Sequence, residues 1–128
     1  MDDQPPSAST PRRGRRGRLS RSAEFERAYR QGRSHGNRHF VVYTFPRDAG
    51  GAETRLGLSV SRKVGGATER NRVKRLVREA FAAESAVVPE RHDVVVVARP
   101  GAHELAEREG LAGFRESLRE LFERAARP

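Results

Sequence analysis

The chain has 128 residues and a formal net charge of +9; apolar residues make up 35% of it, charged residues 34% and aromatic residues 6%. That size accommodates one modest domain with a small core and a heavily charged surface, and leaves no room for a second domain or a large buried catalytic chamber. Without cysteine there is no disulfide, iron–sulfur cluster, cysteine-rich zinc site or thiol nucleophile, and the basic excess points to a polyanionic partner.

Residues 1–18, MDDQPPSASTPRRGRRGR, combine proline, serine, glycine and arginine with almost no apolar side chain. They are expected to form a disordered Arg-rich tail, with residues 19–128 as the single domain. The segment lacks the apolar stretch of a secretory signal, and no part of the chain approaches the about 18 apolar residues of a membrane span. A soluble, cytoplasmic protein is the expectation.

A short helix is predicted over residues 22–31, with Ser22 as N-cap, acids in the first turn, Gly32 as the stop, and Phe25, Ala28 and Tyr29 at i, i+3, i+4. HFVVYTF at 39–45 reads as a strand ended by Pro46, and Asp48 to Gly51 as a turn. RLGLSVS at 55–61 alternates apolar and polar residues, and the two strands together predict an antiparallel hairpin.

A glycine-containing loop, KVGGAT at 63–68, leads to a helix predicted over 69–84 with Thr68 as N-cap. At about 100° per residue, Val73, Leu76, Val77, Ala80 and Phe81 share one face and Asn71, Lys74, Arg75 and Arg78 the opposite one, with Arg70 and Arg72 on the flanks. DVVVVA at 93–98 has the uninterrupted apolar run of a central strand covered on both faces. In the last helix Leu111, Phe114, Leu118, Leu121, Phe122 and Ala125 recur at three- and four-residue spacings and should cover one face of the sheet. The order helix, strand, strand, helix, strand, helix predicts an α+β fold, a two-layer α/β sandwich with three or four strands. Its strand–helix–strand unit would be right-handed by the usual rule if the strands are parallel neighbours.

The basic excess is segregated. Residues 1–22 hold six arginines against Asp2 and Asp3, residues 62–78 hold seven basic residues against Glu69, and the remainder is close to neutral. Guanidinium groups grip phosphate oxygens bidentately, so a helix with several of them facing away from the core can follow a nucleic-acid backbone. Like charges at 70, 74 and 78 repel along one helix, a local cost that a bound polyanion offsets. Neither basic segment carries the wide apolar face of a membrane-surface helix. Phe25, Tyr29 and Tyr43 read first as core, and second as a platform for unpaired bases beside basic side chains.

Catalytic motifs are missing. His35, His39, His92 and His103 show no metal-ligand spacing, and the sequence holds neither a nucleophile elbow nor a phosphate-binding loop. The acids of the last helix, Glu107, Glu109, Glu116, Glu120 and Glu123, are interleaved with arginines and read as solvated pairs.

The stretch 57–81, GLSVSRKVGGATERNRVKRLVREAF, closely resembles the protein component of bacterial ribonuclease P, and the likeness extends from about residue 19 to 125. That resemblance implies a fold like the second domain of ribosomal protein S5, with a left-handed βαβ crossover in place of the right-handed one. It implies a ribonucleoprotein whose large RNA subunit performs Mg²⁺-dependent removal of the 5′ leader from precursor tRNA, the small protein assisting. Arg62, Lys63, Arg70, Asn71, Arg72, Lys74, Arg75 and Arg78 would then contact the RNA subunit. Phe25, Tyr29 and Tyr43 would line a cleft for the single-stranded leader, and no catalytic residue would be needed on the protein. The alternative is a non-catalytic RNA-binding or ribosomal protein of S5-like architecture. A protein-only nuclease would need converging carboxylates that the sequence does not show.

Overall fold

The computed structural model describes residues 32–46, 54–88 and 90–127. The expected tail at 1–18, the helix at 22–31 and the turn at 48–51 lie outside those residues. In chain order the elements are β1 (Arg33–Gly36), β2 (Phe40–Pro46), β3 (Arg55–Val60), α1 (Ala67–Ala83), a short 3₁₀ turn (Ser85–Val87), β4 (His92–Ala98) and α2 (Gly101–Ala126).

The four strands form one mixed sheet in the order β1-β2-β4-β3. β2 runs antiparallel to both β1 and β4, whereas β3 is parallel to β4, so α1 is the crossover of a βαβ unit. The predicted hairpin of the 39–45 and 55–61 strands is therefore corrected: β2 and β3 are opposed in direction but β4 lies between them. The valine run explains the insertion. Val94, Val95 and Val96 are wholly buried, and a strand that is apolar on both faces gains most in the centre of the sheet. β1 was not expected; its RSHG sequence is mostly exposed and lacks a periodic signal. It pairs with β2 through a turn closed by Asn37, whose Oδ1 accepts from the backbone N–H groups of His39 (2.9 Å) and Phe40 (3.0 Å).

The register puts Phe40, Val42, Leu56, Leu58, Val60, Val94, Val96 and Ala98 on one face of the sheet. Both helices pack there, contributing Val73, Leu76, Val77 and Ala80 from α1 and Leu105, Phe114, Leu118, Leu121 and Phe122 from α2. Phe40 meets Phe114 edge to face at 5.1 Å between ring centres, a favourable aromatic geometry. The other face carries a smaller cluster of Phe45 and Val95 with Tyr43 and Val97.

α2 spans the expected apolar positions, but Gly110 breaks its helical conformation (φ 60°, ψ −143°). Glycine alone takes such a conformation without strain. Three residues on, Gly113 has no room for a side chain: a Cβ there would lie 2.6 Å from that of Glu109.

Candidate nucleic-acid interface

The loop before α1 sets out the first two cations. Val64 N–H donates to Ser61 O at 3.0 Å and Gly65 N–H to Arg62 O at 3.2 Å, closing a tight turn. Val64 is buried in the core, 4% exposed, which leaves Arg62 and Lys63 exposed at the surface. Gly65, at φ 159°, has no space for a Cβ, which would meet that of Glu69 at 2.8 Å. α1 starts at Ala67 with Gly66 as its N-cap, so the expectation of Thr68 as cap is corrected. Gly66 already has the extended conformation of a cap, and its carbonyl accepts from Arg70 N–H at 2.9 Å.

Along α1 the wheel is borne out on its inner side: Val73, Leu76, Val77 and Ala80 are buried, while Phe81 is half-buried against Phe122 at 6.0 Å. On the outer side Asn71, Arg72 and Arg75 are exposed, and Arg70, Lys74 and Arg78 are half-buried. The fold thus carries all eight cationic and amide residues of the expected RNA-subunit site on α1 and the loop that leads into it. Arg70 Nε donates to Gly66 O at 3.4 Å and Arg72 Nη2 to Ala106 O of α2 at 3.1 Å, so Arg72 also ties the two helices together. Arg75 and Glu79 stand 4.0 Å apart with both side chains more than half exposed, a contact worth little in water. Arg70, Lys74 and Arg78 follow one another at about 6 Å along the helix axis.

Tyr43 is half-buried on the face of the sheet that α1 and α2 leave uncovered, beside Phe45, Val95 and Val97. The Arg55–Asp93 pair occupies the same face; Nε and Nη2 each donate to a carboxylate oxygen at 2.8 Å, the strong bidentate form of such a contact. Phe25 and Tyr29, the partners expected for Tyr43, lie outside the described residues.

Among the described residues no three His, Asp or Glu side chains converge to hold a metal ion. Burial, with Arg124 and Arg33, holds His35 below the usual histidine range; burial, with Arg38 and Arg108, does the same for His39. His39 Nδ1 lies 3.2 Å from Ser117 Oγ, which also accepts from Asn37 Nδ2 at 3.0 Å; these contacts pin the β1–β2 turn to α2. A cleft of about 530 Å³ between that turn and α2 has no lining residue from α1.

One charged group escaped the sequence reading. Glu84, at the end of α1, is buried and accepts from Arg115 and Arg119 of α2 at 2.8–3.1 Å. Hydrogen bonds from Arg119 and then Arg115 hold its carboxyl down to about 2. A glutamate followed by SAVVPE carries no local sign that arginines 31 and 35 residues away will bury it.

Comparison with known proteins places this geometry in context. Residues 14–126 match the sequence profile described as Ribonuclease P. The ribonuclease P protein component of Bacillus pumilus is 40% identical over 112 residues, covering 88% of this chain and 90% of that protein. That of an Exiguobacterium species is 46% identical over 109 residues, covering 84% and 89%. Among solved structures, the Staphylococcus aureus RNase P protein superposes with a TM-score of 0.75 at 35% identity, covering 85% of this chain and 94% of that one. The protein from Thermotoga maritima also gives 0.75, at 38% identity, covering 85% and 97%.

Proposed function

The chain belongs to the ribonuclease P protein family, and from that membership we propose that α1 and its preceding loop dock it on the RNA subunit while the face of the sheet opposite α1 and α2 meets precursor tRNA. As a member it is the protein component of a tRNA-processing endoribonuclease that works as a ribonucleoprotein. The observation that carries the docking is the one-sided chemistry of α1: Val73 and Val77 wholly buried, and Asn71, Arg72 and Arg75 turned outward.

Docking is electrostatic in this reading. Arg62, Lys63, Arg70, Arg72, Lys74, Arg75 and Arg78 neutralise phosphates and release counterions, and Asn71 bonds a phosphate, ribose or base edge. Tyr43, with Phe25 and Tyr29, offers stacking surface to the unpaired 5′ leader, which mature tRNA lacks. Bond cleavage belongs to the RNA. Mg²⁺ bound there supplies the charge stabilisation for phosphodiester hydrolysis; the described side chains form no set suited to hold it. Among the described residues no helix is long and apolar enough to cross a membrane.

Binding of the unaltered chain to cognate ribonuclease P RNA, measured across a salt series, tests the docking. Arg75→Ala should lower the slope of log affinity against log salt by about 0.7–0.9. An unaltered slope would remove Arg75 from the interface, and RNA binding without any effect on tRNA 5′ maturation would favour the general RNA-binding reading.

A further inference from the structure

Glu84 closes α1 as its C-cap residue, its N–H donating to Ala80 O at 2.9 Å. Its side chain is 7% exposed, whereas those of Arg115 and Arg119 are 43% and 44% exposed. Both carboxylate oxygens are engaged: Oε2 accepts from Arg115 Nε at 2.8 Å and Arg119 Nη2 at 3.1 Å, and Oε1 accepts from Arg119 Nε at 2.9 Å. Two guanidinium groups that reach solvent are therefore both committed to one carboxylate that does not.

Stability alone is a weak reason for such a trio, since a buried ion pair is often no better than apolar packing of the same volume. The position of the trio suggests another. Arg115 and Arg119 emerge from α2 at the end of the helix that carries the phosphate-binding cations. Released, each could take a phosphate bidentately and extend the cationic surface from α1 onto α2. The other exposed charges of α2 are Glu104, Glu107, Glu109, Glu116, Glu120 and Glu123 against Arg108 alone, and Arg108 stands 3.8 Å from Glu109, so this surface repels a polyanion.

We propose that Glu84 is a specificity-determining residue: by occupying Arg115 and Arg119 it confines phosphate recognition to α1 and its loop, so that RNA is accepted in one orientation. This rests on the reading of α1 as the RNA-docking helix.

The test uses the full chain, with cognate ribonuclease P RNA and polyuridylate as separate probes, each titrated across a salt series. Glu84→Gln should bind polyuridylate several-fold more tightly at low salt, with a log–log slope steeper by about 0.7 for each arginine released. Preference for the cognate RNA over polyuridylate should fall. Adding Arg115→Gln and Arg119→Gln to that variant should restore the original polyuridylate slope, an outcome that a purely structural role for Glu84 does not produce. An unchanged slope in a Glu84→Gln protein that is folded by circular dichroism overturns the proposal, as does a steeper slope that survives in the triple variant. Arg119→Gln alone keeps the Glu84–Arg115 contact and covers a failure of Glu84→Gln to fold. It should leave the slope on cognate RNA unaltered, and a loss of about 0.7–0.9 would show that Arg119 already contacts RNA. If the unaltered chain shows no salt-dependent binding, the docking reading itself fails; if it binds and the variants match it, only the role of Glu84 fails.

Discussion

α1 and α2 lie on the same face of one sheet and feed the same core, yet they present opposite surfaces. α1 has five cationic side chains against Glu69 and Glu79. α2 has six glutamates against four arginines, two of them bound to Glu84. Their buried sides differ as well: α1 contributes valines, alanine and a leucine, whereas α2 contributes Phe114 and Phe122, both wholly buried. In the proposed docking a short helix with a modest apolar stripe carries the recognition, and a longer, aromatic-rich helix anchors it. The division shows how a small protein can devote one helix surface to cations without giving up its core.

Substitutions that read the two helices separately should break or sharpen that contrast. The largest effect belongs to the anchor. Phe114→Ala removes the ring that meets Phe40 at 5.1 Å and should cost about 3–5 kcal/mol in urea unfolding; a loss below 1 kcal/mol would mean that α2 is not the anchor. Asn37→Ala, which removes one of the turn's contacts to Ser117 and leaves the N–H groups of His39 and Phe40 without their acceptor, should cost about 1–3 kcal/mol in the same assay. Arg75→Ala should do the reverse of Phe114→Ala, changing the salt slope on RNA while stability stays within about 0.5 kcal/mol. Tyr43→Ala should weaken precursor tRNA by about 1–3 kcal/mol relative to mature tRNA, and equal losses for both would remove Tyr43 from the leader path.

A further contrast is a pH limb. Glu84 drops from an ordinary 4.5 to about 2 on folding, so below 4.5 the unfolded chain takes up its proton first. The stability contributed by this group is full above 4.5 and is lost progressively as pH falls from there towards 2. Thermal unfolding from pH 6 to 2.5 should show that limb in the unaltered chain and a weaker one in Glu84→Gln. Equal acid limbs in the two proteins would mean that the Glu84 contacts do not persist in solution.

Where local periodicity decided the structure, the sequence was sufficient. The inner stripe of α1, the central place of the valine strand and the apolar spacing of α2 all follow from side-chain pattern against burial. Of the site, the cations of α1 were legible because a helix that must bury Val73 and Val77 has to turn Asn71 and Arg75 outward. Non-local pairing was another matter. The predicted β2–β3 hairpin assumed that neighbours in sequence pair, but burial of both faces of β4 placed it between them. β1 has no apolar pattern because it lies at the sheet edge. Reading the acids of α2 as solvated pairs with its own interleaved arginines missed the contacts of Arg115 and Arg119, because their partner comes from the end of another helix. Thr68 had the chemistry of a cap, but the extended backbone that caps α1 occurs at Gly66, two residues earlier.

Cleavage of a 5′-extended precursor tRNA by cognate ribonuclease P RNA at low Mg²⁺, with the protein, without it, and with the protein alone, tests the division of labour most directly. Strong stimulation when both are present, with no cleavage by the protein alone, is the expected result. Cleavage by the protein alone, or no stimulation by a folded protein that binds the RNA, would contradict it.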